Sequence, residues 1–319
     1  MPNATPFASG LTVTFFTPNS GNSNINAIVT GEKWGGAIGT GIGITYSFPT
    51  SGAVWKPSYS ANNEPAGFTT FTAAQAASFR AQLQAWGNVA NINFSEVADT
   101  PTLVGDIRVA LSPAVQASAS FGWAYFPSTS AVGGDIWFSP SSMAAIVPVP
   151  GDYAFQAGIH EIGHALGLDH PLGNGAQAGF TAQQTIMSYN GWANSLFRTV
   201  VAQPGGGFSG SYKYIYTDTP SVLDVAALQY TYGASTKFNA GNDYTGGQDV
   251  IELSAAIFTV YAGQIGSYVT TSAFLSYSST TGILAYDADG AGAGAPLTVA
   301  ILGVTNHPTL LGNDFLIIA

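Results

Sequence analysis

His160-Glu161-Ile162-Gly163-His164-Ala165-Leu166-Gly167-Leu168-Asp169-His170 is the stretch on which the reading of this chain turns. Asp152 precedes it, and a helix is expected over residues 153–166. On a helix, residues four apart lie about 40° apart in projection, so His160 and His164 present both imidazoles to one point. A zinc ion takes nitrogen ligands at about 2.0–2.1 Å in a tetrahedral set, and a catalytic site keeps one position for water. The third ligand must come from beyond the helix. Gly167 supplies the sharp turn that returns His170, because glycine takes positive φ without a Cβ clash. Glu161, one step round the helix from His160, stands beside the metal, where a general base takes the proton of the attacking water. The chain has only four histidines, and three fall in this one stretch. As mere capping or core-polar residues, unpaired His, Glu and His on a buried face would be costly. His307, alone between Asn306 and Pro308, reads as an ordinary turn residue.

Composition bounds the rest. The 319 residues suit one large domain or two with a real core, and 46% of them are hydrophobic despite 39 Gly and 17 Pro. Charged residues are only 8%, against roughly 25% in ordinary soluble proteins, so the surface is built largely from Ser, Thr, Asn, Gln and Gly. A net charge of −10 with seven Lys and Arg repels phosphate backbones and anionic membranes, which excludes nucleic-acid binding. No apolar run approaches the roughly 18 residues of a spanning helix, and no membrane insertion is expected. The opening MPNATPFASG lacks the basic patch and apolar stretch of a cleaved signal peptide. Cysteine is absent, which excludes a disulfide scaffold and any thiolate ligand or nucleophile. An acidic, cysteine-free chain rich in Gly, Ser and Thr suits a bacterial protein secreted to the extracellular space without a cleaved N-terminal signal.

Along the chain, residues 1–30 show no sustained period and read as a loose leader or pro-segment. Residues 42–48 (IGITYSF), 92–97, 106–111 and 135–138 have strand composition. Thr72 caps a helix on which Phe79, Leu83, Trp86 and Val89 fall at helical spacing. Pro220 and Ser221 open another, with Val222, Val225, Leu228 and Tyr232 in one stripe and Gly233 as the stop. From residue 236 onward, short β-branched runs with turn signals read as all-β. The expected division is a leader or pro-segment over 1–30, a catalytic domain carrying the metal motif over 31–234, and a C-terminal β domain over 235–319.

The extended pattern HExxHxxGxxH resembles the metzincin clan of zinc peptidases, in which a methionine-bearing turn follows the third histidine. Thr185-Ile186-Met187-Ser188-Tyr189 matches that turn, and the resemblance makes Met187 an apolar floor under the metal. Within the clan the chain resembles the serralysins, through Pro171 after the third histidine and Tyr189 in Met-Ser-Tyr. It does so also through GEKWGG (31–36), TYSFP (45–49), AWGNVANINFSE (85–96), GGDIWF (133–138) and LDVAALQYTYG (223–233). The resemblance implies an α+β fold, a twisted mixed sheet over two long helices with the cleft above the helix that ends at Leu166. It implies a zinc endopeptidase acting on extended polypeptide, with residues 120–126 as the rim strand that pairs with substrate. It makes Tyr189 a fifth zinc ligand at rest that swings to stabilise the oxyanion. A monomer is expected.

The chain also departs from that pattern. It has no array of calcium-binding GGxGxDxUx repeats; Asn242-Asp243 and Gly246-Gly247-Gln248-Asp249 look at most like one degenerate copy. Its end (residues 281–302, then DFLIIA at 314–319) resembles the C-terminal module of type I secretion substrates, which implies a type I secretion apparatus as partner. Asp287 and Asp289 lie in a D-x-D-G turn that could bind calcium through its oxygens, or could be a plain Asp-Gly hairpin turn. Two other readings stay open: a secreted β-rich binding or surface protein with a structural zinc, and a peptidase acting only on its own leader.

Overall fold

The computed structural model describes residues 4–143, 146–177, 179–191, 195–204, 206–235, 251–255, 257–290, 292, 294, 296–302, 307, 309–310, 312 and 314–318. The chain divides into two compact units, one up to residue 235 and one from 236. The degenerate repeat at 242–249 lies outside the described residues. Among the described residues no helix is long and apolar enough to cross a membrane.

The first unit runs β1 (Val13–Phe15), α1 (Ser23–Asn26), β2 (Glu32–Trp34), β3 (Ile42–Ser47), α2 (Ala73–Val89), β4 (Ile92–Glu96) and β5 (Ile107–Leu111). It continues with α3 (Pro113–Ala117), β6 (Gly122–Ala124), β7 (Ile136–Phe138), α4 (Pro140–Met143), α5 (Tyr153–Ala165), β8 (Leu196–Ala202), β9 (Phe208–Tyr214) and α6 (Val222–Tyr232). Five strands form a mixed sheet in the order β4-β3-β5-β7-β6, parallel throughout except for β6, which pairs antiparallel with β7 at one edge. The strands predicted at 42–48, 92–97, 106–111 and 135–138 are β3, β4, β5 and β7.

Period-two alternation decides which face each strand offers. Ile107, Val109, Leu111, Ile136 and Phe138 pack into the main core with α2 and α5. Ala110 and Trp137 turn to the opposite face. Thr72 caps α2 through a capping box with Gln75, which fixes where the helix begins. Phe79, Leu83 and Trp86 are buried along it, and Trp86 Nε1 donates to Ile159 O at 3.1 Å, tying α2 to α5.

The sheet's other face holds a buried polar layer. Arg108 grips Asp99 with a two-pronged contact (2.8 and 2.9 Å) and lies 3.4 Å over the Trp55 ring. Asp135 accepts from Arg108 N at 2.8 Å and Tyr59 OH at 2.6 Å. Glu64 accepts from Ser60, Tyr125 and Trp123 Nε1. Burial pushes the Asp135 carboxyl up to about 8, against the pull of Arg108.

The first thirty residues, expected to be loose, are paired or buried at several points from residue 4 onward. Ala4 bridges Val104, Val13 of β1 pairs with Trp34 of β2, and Ile28 is fully buried. Composition misled because the ordering comes from main-chain pairing, which Asn, Ser and Thr do not prevent.

In the second unit β10 (Ile251–Ser254), β15 (Phe315–Ile318) and β11 (Tyr268–Val269) form one sheet, with β15 central. A second sheet holds β12 (Leu275–Tyr277), β13 (Ile283–Tyr286) and β14 (Leu297–Ile301). Leu253, Phe258, Leu275, Leu284, Phe315 and Ile317 make its core. The terminal apolar run is thus a core strand, with Phe315 and Ile317 buried.

Candidate metal centre

Helix α5 is buried along nearly its whole length, so its polar residues stand out against an apolar background. His160, Glu161 and His164 are all buried, and His170 partly so. The helix ends at Ala165, and Gly167 takes φ +96° in the turn that brings His170 back. A Cβ on Gly167 would sit 2.2 Å from Glu32 O, so conformation and crowding both demand glycine.

Each helical histidine has its outer nitrogen fixed by a carbonyl. His160 Nδ1 donates to Ile186 O and His164 Nδ1 to Leu168 O, both at 2.8 Å. This leaves the Nε2 lone pairs facing inward, 3.2 Å and 3.3 Å from His170 Nε2. Lone pairs turned on one another repel unless a proton on His170 Nε2 or a cation lies among them. Further protons are a poor choice: burial pushes His160 down to about 4, His164 well below its ordinary value, and His170 down as well. Ligands about 2.0–2.1 Å from a tetrahedral ion stand roughly 3.3 Å apart. The trio therefore fits zinc. Among the described residues it is the one cluster of three or more such side chains able to hold a metal.

Glu161 points to the same conclusion. Its Oε2 is buried and has no hydrogen-bond partner, and burial pushes the carboxyl up to about 8. A cation beside it favours the ionised form. Met187 is fully buried, and its sulfur would lie 2.7 Å from a Cβ on Gly163, so the turn and the helix touch because Gly163 has no side chain. The Tyr189 ring lies 4.5 Å from His170 and 5.7 Å from His160, centre to centre, and is largely exposed. Burial, then the charge of Glu161, pushes its phenol up to about 12, so the hydroxyl keeps its proton at neutral pH.

A cavity of about 460 Å³ opens beside these groups, lined by Gly122, Tyr153, His160, Glu161, Tyr189 and Tyr216 among others. The rim expected at 120–126 contains β6, whose outer edge carries no further strand in the sheet. Asp287 and Asp289 belong to the second unit, where Asp289 is exposed and Asp287 partly so, and among the described residues they gather no third acidic group. Asp289 N donates to Asp287 Oδ1 at 3.2 Å and Gly294 N to Asp289 Oδ2 at 3.0 Å.

One supporting residue escaped sequence reasoning. Asp224 is fully buried and accepts from Thr185 Oγ1 at 2.6 Å, Ile186 N at 2.7 Å and Ser221 N at 2.8 Å. It fixes the peptide whose carbonyl orients His160. Ser221-x-x-Asp224 is a capping-box spacing, the one local signal that could have exposed it.

No protein-family profile matches the chain. Curated relatives do. A serralysin of Proteus mirabilis is 32% identical, over 67% of this chain and 45% of its own. Serralysin A of Dickeya chrysanthemi is 32% identical over 56% of this chain and 37% of its own. The metallopeptidase AprA of Pseudomonas marginalis is 30% identical over 70% of this chain and 48% of its own. The chain thus spans less than half the length of the relatives it matches. On these matches the chain is serralysin-like, kin to the serralysin metallopeptidases.

Proposed function

We propose that the first unit is a zinc-dependent endopeptidase that cleaves extended polypeptide. The observation that carries this is the buried, unpartnered Glu161 carboxylate beside three converging imidazoles, at the wall of an open cavity. His160, His164 and His170 would hold the zinc. Zinc, when bound, polarises the attacking water and the peptide carbonyl.

The chain's own residues supply the rest. The free edge of β6 offers main-chain donors and acceptors to an extended peptide. Glu161 takes the proton of the attacking water and returns it to the departing amine, a role suited to a carboxylate free of other hydrogen bonds. The Tyr189 hydroxyl donates to the developing oxyanion. Its ring is largely exposed and lies beside His160 and His170, so the hydroxyl is placed to reach a carbonyl bound near the histidines.

We read residues 31–234 as the catalytic domain, with the segment ahead of it folded against it, the second unit as an all-β module, and the whole as a secreted extracellular monomer. Its terminal strand β15 would be recognised by a type I exporter before it docks. The sequence carries no array of calcium-binding repeats, and among the described residues Asp287 and Asp289 gather no third carboxylate. Folding of the module should therefore depend little on calcium.

The deciding experiment is zinc analysis together with hydrolysis of casein, with and without a chelator. About one zinc per chain and activity abolished by chelation are expected. Zinc without hydrolysis of casein or of the chain itself would favour a structural metal, and cleavage confined to the chain's own N-terminal region would favour self-maturation.

A further inference from the structure

Residues 27–34 reach the metal loop from outside, and they meet it mostly with main-chain atoms. Val29 bridges Leu168, the residue whose carbonyl holds His164. On either side of that bridge Asp169 N donates to Ile28 O at 2.8 Å and Thr30 N to Gly167 O at 3.0 Å. Leu172 N donates to Ala27 O at 2.8 Å, just past His170. The Thr30 hydroxyl adds a second bond to Gly167 O at 2.9 Å.

The same segment satisfies the end of helix α5. Trp34 Nε1 donates to Ala165 O at 2.8 Å, beside Tyr232 OH, which donates to Leu166 O at 2.9 Å. The last carbonyls of a helix have no partner within it, and here these are supplied from outside. Ile28 and Leu168 are fully buried, so the contact is dry. Upstream, α1 is capped by Asn22, and Asn19 N donates to Tyr230 OH of α6, which anchors the segment at its far end.

We propose that residues 27–30 are a fixed strap of the metal centre, a positioning element that sets His170 against the two helical histidines. It follows that this part of the supposed leader is no removable pro-segment, and that cutting it out would release the metal instead of activating the chain. The proposal rests on the zinc reading above.

The test uses the full chain and zinc alone, with affinity read by competition against a chromophoric chelator. Thr30→Val keeps the shape and removes the hydroxyl bond to Gly167 O; zinc should bind about three- to tenfold more weakly. Thr30→Ser should restore wild-type affinity. Val115→Ala, buried on the opposite face of the sheet, should lower the melting temperature and leave zinc affinity unchanged. Coupling is reciprocal, so zinc must in turn stabilise the strap. Exchange of the Thr30, Asp169 and Leu172 amide protons should slow when zinc is added. Wild-type affinity in Thr30→Val, or exchange at these amides indifferent to zinc, would overturn the strap. Failure of the wild-type chain to bind zinc at all would overturn the metal reading as well, and so is told apart from the first result.

Discussion

The two faces of the central sheet both carry buried ionisable groups, and they treat them in opposite ways. Behind the sheet Arg108, Asp99, Asp135 and Glu64 are each met by charge or hydrogen bonds. Under the cleft, His160 and His164 turn lone pairs toward His170 Nε2, and Glu161 leaves an oxygen unpaired. Burying a polar group is tolerated when partners satisfy it and costs free energy when they do not. The satisfied ionisable groups read as architecture, and the unsatisfied ones as a place kept for something the chain does not itself contain. Burial alone would not have separated them.

The sharpest break should come at Glu161. Glu161→Gln should lower kcat by about 10²- to 10⁴-fold with zinc content unchanged. Its melting temperature should not fall, since an unpaired buried carboxylate contributes no stabilising bond through Oε2. Loss of zinc in this variant would make Glu161 a ligand and undo its assigned role.

Behind the sheet the pattern should invert. Arg108→Ala leaves Asp99 buried without its partner and should destabilise the unit by about 3–5 kcal/mol. Denaturant unfolding measures this, and a cost under about 1 kcal/mol would show that the ion pair is not a structural anchor.

Tyr189→Phe should reduce kcat on the order of 10²-fold with little change in KM if, as proposed, the hydroxyl acts on the oxyanion. A change in KM alone would leave Tyr189 as a substrate contact only.

The smallest effect is the pH dependence of the polar layer. Asp135 is raised to about 8 in the fold, from roughly 3.9 in an unfolded chain. Between these values the folded state binds more protons, so this contribution is full below about 4 and is lost as pH rises through about 8. Melting temperatures across pH 5–9 should decline less steeply in Asp135→Asn than in the native chain. Equal slopes would mean that another group sets the trend.

The convergence of the three histidines was legible because a helix turns the i, i+4 spacing of His160 and His164 into a shared direction, and Gly167 marks the return of His170. The strands β3, β4, β5 and β7 and the three long helices were legible through periodicity and caps. The hairpin β8–β9 was not, since β9 is exposed along its whole length and shows no buried alternation. The strap was invisible because its bonds run mostly through backbone atoms, which any residue supplies. The back layer joins Glu64, Arg108 and Asp135 across long stretches of chain, and no local spacing announces such a meeting.

The bond from Trp34 N to Tyr232 OH has a consequence for when the site can exist. Its partners stand 198 positions apart, and Trp34 and Tyr232 also hold the last carbonyls of the metal helix. Contacts between distant positions form slowly, because the intervening loop must close before any contact rewards it. A chain emerging residue by residue therefore cannot complete its metal-binding geometry until α6 has appeared. Until then Leu166 O lacks its Tyr232 partner, and Ile186, whose carbonyl meets His160, lacks its anchor on Asp224.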